Sequence, residues 1–199
     1  MTVPPPLILG SASPRRLDLL RSIGVEPALV VGADLDETAR PRELPADYAR
    51  RLADEKCRAV ADLHPDGLVL AADTVVAQGR RILPKAEDEA TARDCLERLS
   101  GRRHRVLTAI ALQAPDGRRR ARLVSTIVRF KRLESAERDW YLATGEWQGK
   151  AGGYAIQGAA AALVAAINGS WSSVVGLPLH ETAMALKGLG ALAMTRDAG

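Results

Sequence analysis

Aromatic residues are scarce in this sequence, which contains three tryptophans, three tyrosines and one phenylalanine among 199 residues. Alanine, leucine and valine must therefore supply most of the packing in its core. The hydrophobic share is nonetheless 47%, which is enough for a substantial core and excludes a globally disordered chain. The length suits one large domain or two closely packed lobes.

Cysteine and histidine are also rare, and neither forms a recognisable ligand pattern. Cys57 and Cys95 lie far apart with no CxxC pair, so we expect both to pack in the core of a protein from a reducing compartment. His64, His104 and His180 form neither HExxH nor another metal-ligand spacing. No Ser-His-Asp arrangement can be argued from the sequence.

Long apolar runs and targeting signals are missing as well. Residues 1–6 lack the basic start and apolar stretch of a signal peptide, and the most apolar tract, 158–167, is too short to span a bilayer. We therefore expect a cytoplasmic protein with no membrane partner. The formal charge of +4 suits an anionic ligand without identifying it.

The hydrophobic pattern predicts a mixed α/β fold with a partly antiparallel central sheet. Predicted strands cover 7–9, 25–33, 68–76, 82–83, 104–113, 121–131 and 162–168. Predicted helices run from Pro14 to Gly24 and over 46–63, 87–99, 135–143 and 178–187. The turn 115–117 predicts a hairpin between two long strands. No repeat or long linker divides the chain, so we expect a single domain, 1–199, with a frayed tail from 189.

Two arginines stand at the predicted start of the first helix. Ser13 is expected as the N-cap and Pro14 as the first helical residue, which places Arg15 and Arg16 in the opening turn. The helix macrodipole disfavours cations there, whereas free N–H groups and the arginine fork favour a phosphate. The segment predicts an anion site, with solvated arginines as the alternative. It is not a Walker A loop, because no Gly-Lys-Ser/Thr follows.

Two charged residues interrupt surfaces that are otherwise apolar. Lys56 lies four residues after Leu52 and four before Val60, within the apolar stripe of the long helix. Its amine must therefore reach solvent or meet an internal anion. Asp73 follows the apolar run 68–72, where we expect it at the end of the strand. A carboxylate there can cap the strand, act as a base or hold a metal.

The remaining candidates carry less information individually. Asp34, Asp36 and Glu37 form an acidic cluster that also suits a solvated loop, and Lys85 can face either water or the same anion. The glycine-rich segment 149–154 permits close approach of backbone to a ligand. Taken together, arginines at a helix start, inward lysines and carboxylates are what cleavage of a polyphosphate requires.

The order of these motifs resembles the Maf family of nucleotide pyrophosphatases over nearly the whole chain. The matching segments are SASPRR at 11–16, DLDE at 34–37, EK at 55–56, ADTVV at 72–76, LSG at 99–101, TGE at 144–146, KAGGYAIQG at 150–158, NGS at 168–170 and VVGLPL at 174–179. The resemblance implies a long, twisted mixed sheet flanked by helices, with a cleft between two lobes, similar to inosine triphosphate pyrophosphatases. It also implies cleavage of the α–β phosphate bond of a nucleoside triphosphate with Mg²⁺ or Mn²⁺.

The same resemblance implies roles for individual residues. Asp73 matches the catalytic carboxylate that accepts a proton from water, and Glu37 and Asp73 lie on the metal side of the site. The matching substrate-binding positions are Ser11, Ser13, Arg15, Arg16, Lys56, Thr74, Lys85, Lys150 and Gln157. Of these, Arg15, Thr74 and Gln157 match positions tied to substrate choice. The Ile-Gln-Gly segment is similar to the branch that prefers dTTP and UTP.

Several alternatives to this interpretation stay open. A relative of the branch that acts on 7-methyl-GTP is one, and a septum-formation-inhibiting interaction protein with secondary enzymatic activity is another. A nucleic-acid partner is disfavoured, because the arginine runs at 102–105 and 118–120 lack interleaved aromatics for stacking. The oligomeric state is open between a monomer and a homodimer.

Overall fold

The computed structural model describes residues 4–192, in which helices and strands alternate before strands dominate the middle of the chain. The helices are α1 (Pro14–Ser22), α2 (Pro45–Leu63), α3 (Glu89–Leu99), α4 (Ser135–Ala143), α5 (Trp171–Val175) and α6 (Leu179–Gly188). The strands are β1 (Leu7–Gly10), β2 (Leu29–Val30), β3 (Leu68–Gln78), β4 (Arg81–Leu83), β5 (Lys85–Ala86), β6 (Arg103–Gln113), β7 (Arg119–Phe130), β8 (Lys150–Ala151) and β9 (Val164–Asn168).

The central sheet is mixed, as the sequence predicts. Its strand order is β2-β1-β3-β6-β7-β9, with β4 paired to β3. The pairs of β1 with β2 and with β3 are parallel, whereas β3, β6, β7, β4 and β9 pair antiparallel. The predicted hairpin is confirmed as β6–β7, the longest ladder of the sheet. Strands β5 and β8 form a separate two-stranded sheet.

Helices cover both faces of the sheet, so the core has two parts. On one face, α2 packs its apolar stripe, including Ala49, Ala53 and Val60, against the sheet. The other five helices contribute to the larger core on the opposite face. Cys57 and Cys95 are both free and buried, one in each part of the core, as expected.

Some predicted elements differ in extent from those observed. The strand expected over 25–33 is reduced to Leu29–Val30, in part because Pro27 has no N–H to donate to a ladder. Helix α5 and the β5–β8 pair were not predicted, since they are too short to show periodicity. Leu189, where the frayed tail was expected to begin, is buried in the core, and residues 193–199 lie outside the described range.

The edge of β3 that faces β1 contains a gap, which places the site. Strand β1 pairs with 68–71 and β4 pairs with 76–78, while β6 pairs along the other edge over 69–77. Within the described chain, 72–75 therefore lack a strand partner on the β1 side. The strand predicted over 68–76 is confirmed, and Asp73, which was expected where the apolar run 68–72 ends, lies inside β3 at this gap.

Candidate active site

A cavity of about 240 Å³ opens at the gap in the edge of β3. Its walls come from the loop before α1, the loop before α2, α2 itself, β3, the β5–β8 pair and α5. Among the predicted residues, those that line it are Ser11, Ser13, Arg15, Arg16, Glu37, Lys56, Asp73, Thr74, Lys85 and Lys150. The fold thus brings together side chains from positions 11 to 150 of the chain.

Four side chains on one wall alternate in charge, and we call Glu37, Lys56, Asp73 and Lys85 the charge row. The Lys56 Nζ lies 2.7 Å from Asp73 Oδ1 and 2.6 Å from Glu37 Oε1. Glu37 Oε2 accepts a second contact, 2.5 Å long, from Lys85 Nζ. Of the two possibilities that its place in an apolar stripe left open, Lys56 meets an internal anion rather than reaching solvent.

The charge row has a buried half and a half that is exposed to solvent. Lys56 and Asp73 are buried, whereas the Lys85 side chain is half exposed. Burial raises the pKa of Asp73 above its ordinary value, and the charge of Lys56 opposes that rise. Burial also opposes ionisation of Glu37, but hydrogen bonds from Lys56 and Lys85 outweigh it and lower its pKa to about 2. Asp73 is thus the more basic of the two carboxylates.

A second wall carries cations that have no carboxylate partner, and we call Arg15 and Lys150 the cationic corner. Among the described residues, Arg15 has no ion pair, and Lys150 Nζ donates only to the carbonyl of Gln148, at 2.8 Å. Burial lowers the pKa of Lys150, and the charge of Arg15 lowers it further. Helix α1 has no acidic residue in its first turn. Cations placed in this way at a helix start suit an anionic ligand.

Arg16 connects the walls instead of standing free. Its Nε donates to the carbonyl of Gly176 at 2.9 Å, and its Nη1 donates to Ser11 Oγ, also at 2.9 Å. Its Nη2 lies 3.4 Å from Thr74 Oγ1, which in turn lies 3.0 Å from Thr108 Oγ1. Arg16 therefore ties the loop before α1 to β3 and to the end of α5, with only part of its fork left for a ligand.

The β5–β8 pair presents two of the lysines. Lys85 is paired with Ala151 and Ala86 with Lys150, so both lysines lie on the same two-stranded unit. Gly152, at φ +67, lets this segment pass against β3, since a Cβ there would come within 2.7 Å of Val76. The glycine-rich segment predicted to approach a ligand thus serves first to bring its backbone against β3.

Two predictions about polar side chains need adjustment. Ser13 occupies the N-cap position of α1, but its side chain makes no capping hydrogen bond; Ser11 Oγ instead accepts from the Ser13 N–H at 3.2 Å. Gln157, expected to read the base, is exposed and is not among the residues that line the cavity. Its role in substrate choice stays a prediction.

The apolar part of the cavity was not predicted from the sequence. Val76, Val106, Val174 and the ring of Tyr154 line it. Behind this wall, the buried His104 Nε2 lies 2.7 Å from the Tyr154 hydroxyl, and burial lowers the pKa of His104 to about 4. The motif matches cover Val76, Tyr154 and Val174 but gave them no role, because valines on strands ordinarily indicate core.

The donor set of the cavity suits a small divalent cation bound together with phosphate. Within 4–192, no three Asp, Glu, His or Cys side chains cluster as a complete protein site. Mg²⁺, however, is commonly held by one or two carboxylates plus substrate phosphates. Glu37 and Asp73 converge on one ammonium, Lys56 Nζ, so they already flank a position of positive charge. The residues fit such an ion when substrate supplies the remaining oxygens.

The fold and this cavity define a mixed α/β protein with a charged cavity at a sheet edge. Residues 6–189 match the family described as Maf-like protein. The chain therefore belongs to the Maf-like family, and the resemblance drawn from its motifs is confirmed.

Relatives in this family cover almost the whole chain. A Paramagnetospirillum magneticum protein named dTTP/UTP pyrophosphatase is 65% identical over 184 residues, covering 92% of this chain and 97% of that protein. A Caulobacter vibrioides protein with the same name is 60% identical over 190 residues, covering 96% and 98%.

Solved structures give a more distant likeness. The nucleoside-triphosphatase / dITP/XTP pyrophosphatase of Mycobacterium abscessus aligns with a TM-score of 0.42 and 18% identity, over 65% of this chain and 74% of that one. The Staphylococcus aureus Ham1 protein aligns with a TM-score of 0.42 and 16% identity, over 62% and 71%.

No helix within 4–192 has the length and hydropathy needed to cross a membrane.

Proposed function

We propose that this protein hydrolyses the α–β phosphate bond of nucleoside triphosphates, releasing a nucleoside monophosphate and pyrophosphate, with a preference for dTTP and UTP. The observation that carries the proposal is the cavity itself, in which a buried carboxylate–lysine pair faces unpaired cations. The names of the relatives, at 60–65% identity over more than nine-tenths of this chain, support both the reaction and the pyrimidine preference.

Asp73 is the group best placed to accept a proton. Its raised pKa makes it a stronger base than an ordinary aspartate, and Lys56 fixes its Oδ1. Water attacks the α-phosphorus, its proton passes to Asp73, and the bond from the α-phosphorus to the bridging oxygen breaks. The pyrophosphate leaves with that oxygen. The products therefore balance the water consumed.

The cationic corner stabilises the leaving group. Within residues 4–192, Arg15 and Lys150 form no ion pair with a carboxylate, so their charge is available to the β- and γ-phosphates as negative charge grows on the departing pyrophosphate. Each charge-assisted hydrogen bond contributes about 1.5–3 kcal/mol. Arg16 contributes by holding the walls in place as well as by its own charge.

A divalent cation, Mg²⁺ or Mn²⁺, is part of the proposal. Glu37 and Asp73 would hold it with phosphate oxygens, and it would supply charge neutralisation at the reacting phosphate. Thr74 and Arg15 lie in the cavity and are candidates for substrate choice, with Gln157 outside its lining. A nucleoside triphosphate substrate also fits the expected cytoplasmic location.

A panel of triphosphates tests the proposal. We expect pyrophosphate release from dTTP and UTP to exceed that from purine triphosphates and from 7-methyl-GTP, with Mg²⁺ or Mn²⁺ present. Reaction in ¹⁸O-water should place the label in the monophosphate, because the α-phosphorus is attacked. Label in pyrophosphate, release of orthophosphate, or no turnover of any triphosphate would contradict the proposal.

A further inference from the structure

Glu37 enters the cavity from a segment that has no regular secondary structure. Between β2 and α2, residues 31–44 form neither helix nor strand. Ordering each such residue costs backbone entropy of about 1–2 kcal/mol, and no ladder of hydrogen bonds compensates for it here. The position of Glu37 between Lys56 and Lys85 must therefore depend on side-chain contacts to its own segment.

Tyr48 contacts the main chain of Glu37 itself. Its hydroxyl donates a 2.7 Å hydrogen bond to the main-chain carbonyl of Glu37. Tyr48 lies on α2, two turns before Lys56, so a single helix fixes both the backbone of Glu37 and the ammonium that its carboxylate meets. A tyrosine hydroxyl is protonated at neutral pH, so it acts as a donor to this carbonyl.

Arg51 holds the rest of the segment, one turn further along α2. Its Nε and Nη2 bind the two carboxylate oxygens of Glu43 at 2.7 and 2.8 Å, and its Nη1 binds Glu55 at 3.0 Å. Nη2 also donates to the carbonyl of Thr38 at 3.2 Å, next to Glu37. A two-pronged contact of this kind constrains orientation as well as distance.

Tyr48 and Arg51, which we call the two anchors of the segment, also contact each other. The Arg51 guanidinium lies over the Tyr48 ring, 5.4 Å from its centroid, and the side chains of Arg51 and Glu43 are 13% and 9% exposed. These values separate them from the ordinary surface pair on the same helix, Arg50–Asp47, whose side chains are 58% and 60% exposed. An anchor shielded in this way is worth more than a solvated pair.

We propose that Tyr48 and Arg51 are positioning residues that set the place of the Glu37 carboxylate for the triphosphate and its cation. This rests on the proposed function, although the holding of the segment does not. Neither residue lines the cavity, so both act through Glu37. Small displacements of a group that positions the reactants reduce turnover strongly.

Two variants separate the anchors from the fold. Tyr48→Phe removes one hydroxyl and keeps the ring beneath Arg51, while Arg51→Lys keeps the charge and loses the fork. Arg50→Gln is the control, since it breaks an exposed pair on the same helix that does not touch the segment. Amide hydrogen exchange of 31–44, without substrate or metal, is measured beside kcat, KM and the Mg²⁺ concentration that gives half-maximal rate.

We expect exchange in 31–44 to be about two- to tenfold faster in Tyr48→Phe than in the control, the range that corresponds to one net hydrogen bond. The Mg²⁺ requirement should rise by a similar factor, with exchange in β3 and β6 unchanged. Exchange equal to that of the control, or a wild-type segment that exchanges as fast as an unfolded peptide, would overturn the positioning role. Inactivity of the wild type with every triphosphate would instead overturn the proposed function. The hydrogen-exchange result would still show whether Tyr48 and Arg51 hold residues 31–44 in place.

Discussion

The charge row and the cationic corner face the same cavity but are built in opposite ways. In the row, Lys56 and Lys85 are each within 2.7 Å of a carboxylate oxygen, so the charges compensate one another before any ligand arrives. In the corner, Arg15 and Lys150 repel each other across a partly desolvated wall. The row can therefore stabilise the fold, whereas the corner stores affinity for an anion at some cost in stability.

This contrast assigns the two walls different tasks. A pre-paired carboxylate keeps a fixed direction and a tuned basicity, which suits proton transfer. Cations without partners gain most when a polyanion enters, which suits binding of the departing phosphates. Substitutions on the two walls should therefore separate stability, turnover and affinity.

The largest expected effect is on stability and lies within the row. Lys56→Met leaves the buried carboxylate of Asp73 without its lysine, and breaking a buried pair in this way costs about 3–5 kcal/mol. Lys85→Met, which breaks the half-exposed contact to Glu37, should cost about 1 kcal/mol or less. Chemical denaturation at pH 7 compares the two variants. Equal losses of unfolding free energy in the two variants would show that burial does not make the Lys56 contacts more stabilising than the Lys85 contact.

Turnover should respond most to Asp73. Asp73→Asn keeps the size of the side chain but removes the base, so we expect kcat to fall by about 100-fold or more while KM changes little. Asp36→Asn serves as the control, because Asp36 is exposed one residue from Glu37 and outside the cavity lining. Steady-state kinetics with saturating Mg²⁺ decide the matter; near-normal turnover in Asp73→Asn would remove it as the base.

A smaller effect, on kcat/KM rather than on stability, is expected in the corner. Arg15→Gln removes one charge-assisted contact, so kcat/KM for the triphosphate should fall by about ten- to a hundredfold. The free energy of unfolding should stay the same or rise slightly, since Arg15 has no partner to lose. Arg21→Gln on the same helix, which breaks an exposed pair with Glu26, should leave kcat/KM unchanged. A destabilised Arg15→Gln with normal kinetics would reverse the assignment.

The residues that sequence reasoning located were those in conflict with their local surroundings. Lys56 in an apolar stripe and Asp73 in an apolar strand each demanded a partner, and the fold makes them partners of one another. Arg15 and Arg16 both conflicted with the helix macrodipole. Within residues 4–192, Arg16 donates hydrogen bonds to protein groups, whereas Arg15 has no ion pair. Local pattern could not separate the two, because the groups that occupy Arg16 come from Gly176 and Thr74, far along the chain.

Features that depend on pairing between distant segments were out of reach. The gap in the edge of β3 arises because β1 and β4 pair with different parts of that strand. Neither β1 nor β4 is long enough for its register to be predicted from its sequence. The β5–β8 pair, which brings Lys85 and Lys150 together, consists of two residues on each side. Hydrophobic periodicity needs longer runs than these.

The gap in β3 has a consequence for how this protein can change. Successive side chains of a strand point to opposite faces, so Asp73 meets Lys56 on the α2 side while Thr74 meets Arg16 and Thr108 on the other. One peptide bond separates the reactive carboxylate from a candidate for substrate choice, and nine paired positions with β6 fix which faces which. A substitution at Thr74 therefore acts through Arg16 and Thr108 and leaves the Asp73–Lys56 pair on the opposite face untouched.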